Sequence, residues 1–135
     1  MERDAQMSPC GAYRYDLWRR WEPDGRLLVW VLLNPSIADA DQDDPTIIRC
    51  IRFADRWGYG AIRVVNLFAL RATEPKVLYR AAAPVGPNND QTIIKAIGST
   101  EELICAWSNH GWLHGRGRKS WASYRGMGVN RAFSA

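Results

Sequence analysis

Cysteine is scarce. Cys10, Cys50 and Cys105 are odd in number, far apart and form no Cys-x-x-Cys pair. That excludes a disulfide framework or zinc knuckle and leaves the three as small buried hydrophobes. No apolar run approaches the roughly 20 residues of a membrane span, and the charged start, Met1 to Gln6, leads into no apolar signal segment. A cytoplasmic protein without a membrane partner is expected. Acid is missing from the C-terminal end: beyond Glu102 stand Arg116, Arg118, Lys119, Arg125 and Arg131 with no anion, leaving 13 cations against 14 acids before them. The net charge of +4 therefore sits in a basic end, which is either a solvated tail or a contact for phosphates. Also absent are a Gly-x-Ser-x-Gly elbow, a P-loop and a G-x-G-x-x-G turn. Acyl transfer at an elbow, Walker-type phosphoryl transfer and dinucleotide binding thus lose their usual sequence support. The chain has no repeat and no low-complexity segment.

What remains is ordinary globular composition. A length of 135 residues with 47% hydrophobic and 24% charged fits a single domain over 1–135 that buries roughly two thirds of its unfolded surface. Tyr13 to Trp21 alternates partially, Pro23-Asp24-Gly25 supplies a turn, and Leu27 to Leu33 is almost unbroken apolar, which reads as a hairpin feeding a central strand covered on both faces. Asp44 and Pro45 supply an N-cap and first position for a helix carrying Ile47, Ile48, Ile51, Ala54 and Trp57 at helical spacing, stopped by Gly58 and Gly60. Ala61 to Leu67 and Leu103 to Trp107 are further buried strands, with a weaker helix between them from Asn89-Asp90 to about Ile97. Helices between apolar strands predict right-handed crossovers. The expected fold is α/β: a three-layer α/β/α sandwich with a mainly parallel sheet and the first strand at an antiparallel edge.

In such folds ligands gather beyond the carboxyl ends of the strands. The segments to inspect are Asn34-Pro35-Ser36-Ile37-Ala38-Asp39, Phe68-Ala69-Leu70-Arg71-Ala72-Thr73 and Ser108-Asn109-His110-Gly111, with Val85-Gly86-Pro87-Asn88-Asn89-Asp90 before the second helix. Their convergence on one rim predicts a pocket lined by Asn34, Ser36, Asp39, Asp44, Asn66, Arg71, Asn88, Asn89, Asp90 and His110. Asn34 offers a donor and an acceptor at a strand end, suited to a base edge and equally to an Asx turn. His110 titrates near neutrality and is the candidate proton carrier. Arg71 with Thr73 suits a phosphate or carboxylate clamp, or an ion pair with the acidic loop. Asp39, Asp41, Asp43 and Asp44 place four carboxylates in six residues, an invitation to magnesium or calcium. Their spacing fits no calcium loop, so a solvated capping loop is the better reading and no metal or other cofactor is assigned. Trp30, Trp57 and Trp107, three of seven tryptophans, fall beside these loops, where a ring can stack on a base or simply fill the core.

Taken in order, Leu33-Asn34-Pro35-Ser36 with Ala38-Asp39, Asp43-Asp44-Pro45-Thr46, Trp57-Gly58-Tyr59-Gly60, Asn66-Leu67-Phe68-Ala69 with Arg71-Ala72-Thr73, Gly86-Pro87-Asn88-Asn89-Asp90 and Ala106-Trp107 with His110-Gly111 resemble a bacterial and phage family, a domain of unknown function. The resemblance runs from about Tyr13 to His114. Beyond Arg118 the chain departs from the pattern, which usually continues through a further strand into a histidine- and proline-containing end. The stretch from about 119 to 135 is therefore expected to be truncated or frame-shifted. More remotely, a strand ending in Asn-Pro-small, an Asn-containing later loop and a small-residue loop are similar to the uracil-DNA glycosylase superfamily. That similarity implies a first-motif role for Asn34, water positioned at the sugar, and Asn66 or Arg71 near the base or phosphate. The superfamily's terminal histidine has no match, and His110, a candidate beside Asn34 on its own reading as a proton carrier, is not an obvious substitute for it.

The sequence thus favours a nucleotide- or single-stranded nucleic-acid-binding domain with glycosylase-like architecture, whether or not it hydrolyses an N-glycosidic bond. The competing readings are a non-catalytic accessory protein, whose motifs are turns and caps, and a metal-assisted hydrolase using the Asp39–Asp44 loop.

Overall fold

A computed structural model describes residues 1–100, 102–107 and 116–117 and the strand backbone at 131–134. The elements are β1 (Glu2–Met7), β2 (Arg14–Arg20), β3 (Leu27–Leu32), α1 (Pro45–Arg56), β4 (Ala61–Asn66), α2 (Pro75–Arg80), α3 (Asn89–Gly98), β5 (Glu102–Ala106) and β6 (Arg131–Ser134). They form a mixed α/β fold around one six-stranded sheet in the order β1-β2-β4-β3-β5-β6. β1, β2 and β4 pair antiparallel, while β4, β3, β5 and β6 run parallel.

The apolar run of β3 works on both faces, as expected of a strand covered on each side. Leu28, Trp30 and Leu32 join Ile62, Val64 and Ile104 against Ile47, Cys50 and Ala54 of α1. Val29 and Val31 join Val65, Leu103 and Cys105 against Leu78 of α2 and Ile93, Ala96 and Ile97 of α3. α1 begins where its sequence signals place it: Asp44 accepts the Ile47 amide at 2.9 Å and Pro45 stands at the first position. No helix among the described residues is long and apolar enough to cross a membrane.

The expected hairpin is not formed. β2 pairs with β4 and with β1, so β4 lies between β2 and β3. The Pro23-Asp24-Gly25 turn instead packs onto the start of β4, where Trp21 and Glu22 both donate to the Gly60 carbonyl at 3.0 and 3.1 Å. A Cβ on Gly60 would lie 2.5 Å from the Gly25 Cα, a backbone-to-backbone approach that only two glycines permit. The true edge is β1, whose Glu-Arg-Asp sequence shows no apolar alternation yet suits an exposed edge strand.

β2 contains one extra residue. Gln6 pairs with Asp16 and Met7 with Arg14, so Tyr15 is passed over. This bulge resets the alternation: Arg14 and Arg19 both reach the Ala38–Asp43 loop on the α1 side, whereas the Tyr15 ring would touch a Cβ placed on Gly86, before α3. β6 adds a parallel strand beside β5.

Candidate functional site

β3 leads through α1 to β4 on one side, and β4 leads through α3 back across β3 to β5 on the other. The connections diverge at β3 and β5, so the crevice between them opens beyond Leu32 and Ala106, with the end of β4 at Asn66 beside it on the same rim.

Most rim polar groups face inward. The Asn34 Nδ2 donates to the carbonyls of Pro35 and Ala72, both at 2.9 Å, stitching the loop after β3 to the loop after β4. Its Oδ1 has no partner among the described residues. Arg71 donates from Nε to the Ser36 carbonyl at 2.9 Å and from Nη2 to the Ile37 carbonyl at 3.0 Å. Three backbone carbonyls, of Ser36, Gly11 and Ile37, thus accept from its fork, and among the described residues it forms no ion pair with the acidic loop.

The four aspartates of the loop do not converge. Asp39 accepts the amides of Asp41 and Gln42, and these bonds hold its carboxyl below the usual range. Asp43 pairs with buried Arg19 at 2.9 Å and with Arg3 at 3.1 Å. Asp44, itself buried, caps α1 and accepts the Ala38 amide at 3.2 Å. Among the described residues no three His, Cys, Asp or Glu side chains gather as a cation site needs.

α3 contributes differently. Gly86 at φ +89 turns the chain into the helix. Asn88 precedes it without a side-chain cap bond, and Asn89 is fully buried, donating Nδ2 to the carbonyls of Asn66 at 2.8 Å and Leu67 at 3.0 Å. Asp90 is exposed and accepts from Arg116 at 2.9 Å. Asn88, Asn89 and Asp90 thus stand on the α3 side, apart from Asn34, Ser36, Asp39, Asp44 and Arg71. His110 lies outside the described residues.

Three buried side chains at the rim leave polar atoms unpartnered among the described residues, and one of them is Asn89, through its Oδ1. Asn66, 0% exposed, ends β4 with both Nδ2 and Oδ1 unpartnered. Strand alternation turns it to the side of Ile62 and Val64, beside Leu32, its register partner in β3. Arg14, 1% exposed, donates Nη1 to the Ala38 carbonyl at 3.0 Å, leaves Nε unpartnered and touches no carboxylate. Burial pulls its pKa down to about 10, with the charge of Asp44 acting the other way. Each unmade bond at such a depth costs on the order of 1–3 kcal/mol, so this face of the sheet carries a polar debt at the rim. Sequence inspection singled out Asn66 but missed Arg14, whose side chain reads as the polar half of an alternating strand. It also missed Arg116, which donates to the Leu67 carbonyl at 2.8 Å and resembled the rest of the basic end.

The tryptophans divide. Trp30 is buried, Trp107 packs partly buried on the α3-side core, and Trp57 caps the far end of α1, away from the carboxyl rim. Cys50 and Cys105 are buried as expected, their thiols pushed up to about 12 by burial, whereas Cys10 is exposed.

Residues 14–131 match DUF1643, a family of proteins of unknown function, and the chain belongs to that family. No curated protein and no solved structure matches it.

Proposed function

We propose that this DUF1643 protein binds a nucleotide or nucleic-acid base at the carboxyl rim of a three-layer α/β/α sandwich of glycosylase-like architecture. The observation that carries the reading is Asn66: a fully buried carboxamide, fixed at a strand end, with donor and acceptor both unspent. A carboxamide presents N–H and C=O side by side, the complement of a base edge that carries one acceptor and one donor. Proteins rarely leave both ends of a buried amide unpaired, and a ligand that pairs them recovers the cost. Arg14, buried with no direct ion pair among the described residues, adds a cation to the same side of the sheet.

If the site also hydrolyses an N-glycosidic bond, Asn34 Oδ1 holds the attacking water. The water oxygen then bonds to the anomeric carbon as the carbon–nitrogen bond breaks, the base departs with the electron pair, and it takes up the proton that the water releases. His110 is the remaining candidate for that proton transfer.

Calorimetric titration with uracil, the other free bases and their deoxynucleosides tests the reading. One of them binds the natural protein, and Asn66→Ala loses at least about tenfold of that affinity, the value of one good hydrogen-bonded pair. Absence of binding by the whole panel overturns it.

The accessory-protein reading keeps one specific observation in its favour. Asn34, Asp39, Asp44, Arg71 and Asn89 all spend polar atoms on backbone groups, as turns and caps do. Under it, Asn66→Ala changes stability alone.

A further inference from the structure

The outward face of α1 carries a feature that the rim does not use. Arg49, Arg52 and Arg56 are exposed and fall at i, i+3 and i+7, one stripe of the helix opposite buried Ile47, Cys50 and Ala54. None of the three forms an ion pair among the described residues. The acid of this helix, Asp55, lies on the flank and accepts the Trp21 Nε1 at 3.2 Å. A cation in the last turn is ordinary compensation for the helix dipole, which accounts for Arg56 but not for Arg49 and Arg52 further up.

Beside the stripe runs a ladder of rings. Trp30 stacks on Trp57 with centroids 6.2 Å apart, and Trp57 stacks on Phe53 at 5.4 Å. Arg56 lies over Phe53 at 6.0 Å. Trp30 is 5% exposed, whereas Trp57 is 48% and Phe53 38% exposed. The ladder is therefore rooted in the core and open at its outer rungs, so the outer rings are held in place before any partner arrives. Rigid exposed rings beside unneutralised arginines are the means by which proteins hold unpaired bases and their phosphates together.

We infer that the outer face of α1, built from Arg49, Arg52, Arg56, Phe53 and Trp57, is a docking surface for single-stranded DNA. The phosphates follow the arginine stripe, which spans roughly 10 Å of helix axis, while a base stacks on Phe53, the terminal ring, which Trp57 holds in place. A duplex offers no free base face to such a ring. Charge complementarity excludes a basic partner, and it disfavours a second copy, which would bring three more arginines to the same face.

The test is fluorescence anisotropy of a labelled 15-nucleotide oligo(dT) with the full chain over a salt series. Three neutralised phosphates give a log Kd against log salt slope of magnitude about 2. Replacing all three arginines by alanine removes most of that slope, and Trp57→Ala weakens binding about tenfold while Trp57→Phe keeps most of it. Arg80→Ala and Lys95→Ala, on the other helices, leave binding unchanged. The inference is overturned if the folded triple-arginine variant binds oligo(dT) like the natural chain, or if a 15-base-pair duplex or oligo(rU) binds more tightly than oligo(dT). It is equally overturned if sedimentation shows a dimer that Trp57→Ala dissolves.

Discussion

Asn89 reaches from the first turn of α3 to donate its Nδ2 to the carbonyl of Asn66 at 2.8 Å, so the residue that secures the end of β4 is a neighbour of the carboxamide left unsatisfied there. The backbone of Asn66 is held while its side chain remains free to pair with something else. Asn89→Leu strands the carbonyls of Asn66 and Leu67, of which only the latter keeps a second donor, Arg116. It should cost about 2–3 kcal/mol in urea unfolding, and a loss below about 0.5 kcal/mol would show that the bond does not hold this junction.

The turn between β2 and β3 rests on the contact of Gly25 with Gly60. Gly60→Ala forces a Cβ against backbone, so the two segments separate. The expected loss is on the order of 2 kcal/mol or more, as for overpacked cores, against well under 1 kcal/mol for Gly98→Ala, where a Cβ meets nothing within 4 Å. Equal effects in thermal melts would contradict the account.

Arg14 makes the pH dependence of stability specific. Its folded pKa, about 10, lies below its ordinary value, so between these two the unfolded chain binds more protons and stability rises with pH. Below pH 10 the group is protonated in both states and the burial penalty is present in full. Arg14→Met should therefore unfold no more easily than the natural chain at pH 7, because a buried charge that Asp44 only partly offsets has been removed. Its advantage should shrink as pH climbs from 10 towards the ordinary guanidinium value. A constant difference across that range would mean that the charge is not penalised.

Asp44 serves two backbone amides while buried. Asp44→Ala should lose about 1–3 kcal/mol, the range from a lost cap to a stranded buried donor, whereas Asp41→Ala, on an exposed side chain, should be near neutral. Magnesium, manganese or calcium that raised the melting temperature of the natural chain but not of Asp44→Ala would instead revive the metal reading.

The sequence was most readable where structure is local. The continuous apolar runs of β3, β4 and β5 and the Asp44-Pro45 cap marked elements that form nearly where expected. Three elements gave no such signal: β1, whose apolar contacts are few, α2, a six-residue helix, and β6, a four-residue strand. The false hairpin arose because a turn sequence reports a reversal but not the partner, and β2 finds its partner in β4, forty residues on. At the rim, sequence supplied the right residue types and could not show how they were spent. Asn34 and Arg71 look identical in sequence whether they face a ligand or a carbonyl. The bulge at Tyr15 that turns Arg14 inward depends on pairing with β1, which no local pattern of β2 records.

The central claim is that the Asn66 carboxamide is kept unsatisfied for a ligand. The direct measurement is a pair of thermal melts, natural chain and Asn66→Leu, each alone and with the bases and deoxynucleosides at about a hundred times their dissociation constants, where a ligand adds about 2.7 kcal/mol to the native state. The account predicts that Asn66→Leu melts higher than the natural chain when both are empty, and that only the natural chain gains with ligand. If the leucine variant melts higher and no base or nucleoside moves either chain, Asn66 is a buried imperfection and the binding site is contradicted.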